Sequence, residues 1–194
     1  MTPTEILKDE HLLIVEVLDY LEEAADRLDR GDDVDSNFFL DAAEFVAGFA
    51  DRCHHSKEED ILFVAMTARD MPQDRGPVAV MLHEHEEGRA FTAAFRSAAE
   101  QMKAGNEAAA ADVVQNVYDY VNLLREHINK ENMVLFPMAD QIIPKDAMQA
   151  VSREFQRVLA KDEENHVPAR YKALAKKLSE YLTRTLCERP GLRA

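Results

Sequence analysis

The chain has little cysteine. Its two residues, Cys53 and Cys187, are too few and too far apart for a disulfide framework or a Cys-x-x-Cys metal knuckle. Backbone breakers are scarce as well, with 6 glycines and 7 prolines in 194 residues. Alanine, leucine, glutamate and aspartate are plentiful, so an all-helical protein is expected. Basic residues are outnumbered, 23 against 37 acidic, for a net charge of −14. A surface this acidic repels phosphate backbones and anionic lipid, so neither nucleic acid nor a membrane is an expected partner. No apolar run approaches the length of a membrane span. The opening MTPTEILKDEHLL carries charge where a secretory core is apolar, and the expected location is a reducing cytoplasm. What is present is a 46% hydrophobic share, enough for a core and too much for disorder.

Punctuation divides the chain into helices. Thr2 or Thr4 with Pro3 starts a first helix that runs to about Arg30 and stops at Gly31. Asp35 or Ser36 caps a second, to about Ala68, before the breaker MPQDRGP. A third runs from about Val78 to Ala104, and a fourth from about Ala108 to Pro137 or just past it. Four long helices with short links predict an all-α, up-down-up-down four-helix bundle over residues 1–140. Residues 141–194 read as a C-terminal helical extension, two helices hinged at NHVP and packed on the bundle or used in a dimer contact. The chain is expected as a monomer or homodimer.

Helical periodicity then sorts the histidines. Each of the four predicted bundle helices places one histidine on its apolar stripe: His11, His54, His85 and His127. The second and fourth add Glu58 and Glu131 one turn on. A single buried histidine is ordinary. Six unpaired buried polar groups are very costly, and a metal satisfies them together. In an antiparallel bundle His11 and His85 lie roughly 12 Å from their helix starts, and His54 and His127 roughly 16–20 Å from their helix ends, at ~1.5 Å per residue. These are the same end of the bundle, so the four rings can share one layer.

The stretch CHHSKEEDILF (53–63) aligns with EHINKENMVLF (126–136) on its Leu-Phe ending. His54-x-x-x-Glu58 then falls on His127-x-x-x-Glu131. The i, i+4 spacing puts each pair on one helix face. His55 is ~100° further round and is read as a hydrated or outer histidine, with a role as an extra ligand kept open. Glu59 is expected exposed or outside the ligand set. His166, in the tail hinge, is a surface residue or reaches the site if the tail folds over it. Tyr120 is read as core, His83 as exposed or outer, and Cys53 as packing. Four imidazoles and two carboxylates without thiolate suit iron or manganese, with zinc also able to bind. Two carboxylate bridges leave open positions for water, a small diatomic or peroxide.

The order His11, His54-x-x-x-Glu58, His85, His127-x-x-x-Glu131 resembles the hemerythrin-like HHE cation-binding domain over about residues 5–140. DEH (9–11), MLHEHEEGR (81–89) and REHINKENMVLFP (125–137) support it. The resemblance implies a four-helix bundle holding a non-haem centre of two iron ions, bridged by oxygen or by the two glutamates. The chain departs from oxygen-carrying hemerythrins. Arg89 stands four after His85 and Met81 four before it, where the carriers have a second histidine, and the last block is His-x-x-x-Glu. The resemblance therefore points away from O2 carriage. It implies reaction with, or sensing of, O2, peroxide or NO, as in peroxide breakdown or repair of iron damage. A non-catalytic module that stores, donates or senses iron is the alternative. A ferritin-like site needs Glu-x-x-His on two bundle helices; here only Glu163 and His166 have that spacing.

Overall fold

The computed structural model describes residues 1–187. It contains six helices and, among the described residues, no strand. Helix α1, Pro3–Asp29, opens on Thr2, whose hydroxyl accepts from the Glu5 amide at 3.2 Å. Glu5 accepts back from the Thr2 amide at 2.8 Å, completing a capping box. Gly31, at φ +82°, ends it in the left-handed region. Helix α2 spans 36–67, with Asp35 accepting from the Asn37 amide. Helix α3 is Gly76–Lys103. Helix α4 spans 110–142, further past Pro137 than the chain punctuation suggests. The tail forms α5, Lys145–Glu164, and α6, Val167–Cys187. Residues 188–194 and the side chains of residues 185–187 lie outside the described part.

Two of these helices are irregular. In α2 the segments Val46–His55 and Glu58–Leu62 are π-helical, as is Glu131–Leu135 in α4. A π turn closes i to i+5 and holds more than 3.6 residues, so side chains beyond it rotate off the regular stripe. The π turn in α4 also sets Pro137 in the first turn of the α segment Phe136–Ile142, where its missing N–H costs least.

The apolar core is split in two by a polar layer. Ile14, Leu18 and Leu21 of α1 pack with Phe39, Phe45, Phe95, Val117 and Leu124 in one cluster. Ile6 and Leu7 pack with Leu62, Phe63, Val78, Met81 and Phe136 in the other. Helices α1 and α3 run from the second cluster to the first, and α2 and α4 run back, so neighbours alternate in direction. The extension adds to both. Phe155 of α5 is fully buried in the second cluster. Tyr171, Ala175, Leu178 and Leu182 of α6, on one helical stripe, join the first. Tyr171 sits on Gly48, where a Cβ would fall 1.7 Å from its hydroxyl oxygen. None of the described helices is long and apolar enough to cross a membrane.

Candidate metal centre

The layer between the two cores is polar and buried. It holds His11 from α1; His54, His55 and Glu58 from α2; His85 from α3; His127 and Glu131 from α4. All seven are 5% exposed or less. The six residues predicted from periodicity are thus brought together. His55 joins them, so the expected hydrated face is not what the fold provides. Its ring stacks on His85 at 3.8 Å between centroids, inclined by 9°. The physical reason is the π segment Val46–His55, which lets consecutive histidines both turn inward. His166 stays away: it is exposed, at φ +56° between α5 and α6. His83 is 74% exposed, near Glu87.

Two groups of possible ligands emerge. One comprises His55, Glu58, His85 and His127; the other comprises His11, His54, Glu58 and Glu131, and within each the donor atoms lie within 4.8 Å of one another. His11 Nε2 faces His54 Nε2 at 3.0 Å, and His85 Nε2 faces His127 Nε2 at 3.1 Å. Nitrogens ~2.1 Å from one ion and at right angles are ~3.0 Å apart. Without a cation or proton between them, such lone pairs repel. Glu131 turns one oxygen to His127 and the other to His11, both at 3.2 Å. Glu58 likewise reaches His54 and His85, each at 3.5 Å. Both carboxylates therefore straddle the two groups, and none of their four oxygens has a hydrogen-bond partner. Two buried carboxylates that face only imidazole nitrogens fit a pair of divalent cations far better than an empty core.

The outer nitrogens are fixed by neighbours in a cyclic order around the bundle. Glu10 of α1 accepts from His54 Nδ1 at 2.9 Å, and Glu59 of α2 from His85 Nδ1 at 2.6 Å. Glu84 of α3 accepts from His127 Nδ1 at 2.9 Å, and Asn132 of α4 from His11 Nδ1 at 3.0 Å. Each helix thus orients a histidine on the next. An acceptor at Nδ1 puts the proton there and aims the Nε2 lone pair inward. The acceptors are themselves tied. Arg89 binds Asp51 and Glu59 at 2.8 and 2.7 Å. Lys130 donates to Glu84. Buried Lys57 reaches Glu10 at 3.0 Å and donates to the Cys53 carbonyl at 2.6 Å. His55 Nδ1 is 3.6 Å from Asp51.

In the chain alone, protons take up part of the charge. Burial pushes the Glu58 carboxyl well up, and the charge of Glu131 adds to this. Burial also opposes ionisation of Glu131, yet His127 and His11 hold it well down. His127 is raised, against burial, to about 10 by Glu131 and Glu84. Burial lowers His55 far below the usual imidazole range, helped by the charge of His85. Glu10, Glu59 and Glu84 are lowered, against burial, by the histidines they hold.

Sequence reasoning did not single out Glu10, Glu84, Asn132 or Lys57. A signal was present for the first three. Glu10-His11 and Glu84-His85 are the same dipeptide on α1 and α3, and Glu58-Glu59 matches Glu131-Asn132. Each acceptor stands next to a candidate ligand but serves the following helix. Nothing in the sequence distinguishes Lys57 from a surface lysine.

Comparison with known proteins accords with this geometry. The sequence model of the hemerythrin HHE cation-binding domain matches residues 2–139. The iron-sulfur cluster repair protein YtfE of Edwardsiella ictaluri (strain 93-146) is 31% identical over 88 residues, 44% of this chain and 40% of that protein. The chain thus aligns with less than half the length of that relative. No solved structure matches it significantly. With the domain match running from the first turn of α1 to the end of the α4 ligand block, the chain belongs to the hemerythrin HHE cation-binding family.

Proposed function

We propose that the chain is a non-haem di-iron protein that reacts with or senses O2, peroxide or NO, of the peroxide-breakdown or iron-damage-repair type, and that it does not carry oxygen. The observation that carries this reading is the pair of four-donor groups sharing Glu58. His11, His54, Glu58 and Glu131 would hold one ion, and His55, His85, His127 and Glu58 the other. The all-nitrogen-and-oxygen donor set suits iron, and four donors leave coordination positions free for a small ligand. When bound, an iron pair supplies electrons and Lewis acidity. The chain's own residues fix the imidazoles through Glu10, Glu59, Glu84 and Asn132 and exclude bulk water with the two apolar clusters. The relative's name, an iron-sulfur cluster repair protein, supports a function in iron damage.

The test uses the full chain purified from iron-supplemented cells. About two irons per chain, with rapid H2O2 consumption or a saturable NO-dependent spectral change, is the expected result. Bound iron that neither ligand alters would instead favour the second reading, iron held for storage or donation. Iron passing quantitatively to a metal-free acceptor protein would then identify that role.

A further inference from the structure

Two carboxylates on α2 serve the two histidines that stack in the polar layer. Glu59 Oε1 accepts from His85 Nδ1 at 2.6 Å, and Asp51 Oδ1 faces His55 Nδ1 at 3.6 Å. The two rings lie 3.8 Å apart, inclined by 9°. Both belong to one group of possible ligands, that of His55, Glu58, His85 and His127. The two carboxylates meet at a single side chain of α3. Arg89 Nε donates to Asp51 Oδ1 at 2.8 Å. Arg89 Nη2 reaches the same oxygen at 2.8 Å and Glu59 Oε1 at 2.7 Å. Its Nη1 donates to exposed Glu86 at 2.6 Å.

One nitrogen shared by Asp51 and Glu59 brings two like charges together. Without a cation between them they repel. The planar guanidinium joins them through a fork of directed hydrogen bonds, which a lysine, a point charge on a flexible stem, does not offer. The other histidines depend on other partners. Glu10, which holds His54, is tied to Lys57, and neutral Asn132 holds His11. Glu84, which holds His127, is tied to Lys130. Arg89 thus acts on two of the three histidines in one group and on neither histidine of the other.

We propose that Arg89 is the positioning residue of one ion site. By clamping Asp51 to Glu59 it fixes the stacked His55–His85 pair, and with it the affinity of the group those histidines belong to, while the group of His11 and His54 is left to its own contacts. This inference rests on the metal centre proposed above and assigns the control of one half of it.

The test titrates iron(II), without oxygen, into the metal-free full-length chain by calorimetry, with helical content checked for every variant. Wild type is expected to show two binding steps. In Arg89→Met one step weakens by ~10–100-fold and the other stays nearly unchanged. Arg89→Lys, which keeps the charge and loses the fork, falls between the two, and it carries the test should Arg89→Met lose helix. Asp51→Asn supplies a readout that a merely structural ion pair does not move. In wild type it removes a partner of Arg89 and weakens the same step. In Arg89→Met it removes the repulsion and restores affinity by up to about fivefold. Equal weakening of both steps, or Asp51→Asn weakening binding in both backgrounds, overturns the proposal. Two irons held equally well by wild type and Arg89→Met overturn this inference alone, whereas a wild type that binds no iron overturns the proposed function with it.

Discussion

Glu59 offers a sharp test of how the imidazoles are held. Its Oε1 accepts from His85 Nδ1 at 2.6 Å and from Arg89 at 2.7 Å. Glu59→Ala frees the His85 ring to turn and leaves Arg89 with Asp51 and Glu86. The lost Arg89 pair is partly exposed, at 32% and 24%, and contributes at most ~1 kcal/mol. The effect on a metal-bound histidine is larger. Removing an outer partner lowers metal affinity ~10–100-fold, or ~1.4–2.7 kcal/mol of stabilisation at saturating metal. A chain of this size shifts by ~2–4 °C per kcal/mol, so the metal-loaded melting temperature falls by roughly 3–11 °C more than the metal-free one. The assay is a pair of thermal melts, with and without iron, for wild type and variant. Equal drops in the two states would refute the reasoning, because Glu59 would then be only a surface ion-pair partner.

His55→Ala is expected to reduce bound metal from about two ions per chain to about one, read by elemental analysis, because the second group then keeps only two histidines and shared Glu58. Gly48→Ala places a methyl against the Tyr171 hydroxyl; overpacking of ~1–3 kcal/mol is expected by urea denaturation, relieved by a second change, Tyr171→Leu. Loading metal at pH 7 is expected to release protons, at least the one held on His127, whose pKa is raised to about 10. Apparent affinity therefore rises with pH, and calorimetry in buffers of different ionisation heat measures the release. Asp51 is held down to about 2, against burial, by His55 and Arg89. Since its folded pKa is depressed, its stabilisation, about 1 kcal/mol after solvent screening of a half-buried pair, is present above pH ~4 and is lost as pH falls toward 2. Asp51→Asn is expected to flatten the urea-stability profile of the metal-free protein in that window.

The bundle is legible in the sequence because caps and breakers are local. Thr2, Gly31 and Asp35 act where their own chemistry places them, and six stripe residues converge because a 3.6-residue period is a property of the isolated helix. His55 is not legible by that rule. Its inward turn depends on π segments in α2, which become favourable only when the whole layer forms. The paired block in α4 buries an apolar residue at the matching position, with Ile128 following His127 where His55 follows His54. The Nδ1 acceptors were hidden for a different reason. Glu10 and Glu84 point across to the next helix, and a contact between helices leaves no mark in the periodicity of either.

At the centre of this reading stands a two-ion site in which both donor groups share Glu58. The most direct measurement is anomalous diffraction at the iron edge from crystals of the iron-loaded chain. The account predicts two peaks a few ångströms apart, one among His11, His54 and Glu131 and the other among His55, His85 and His127, with Glu58 between them. No peak in that layer, or iron bound only at exposed carboxylates, would contradict it.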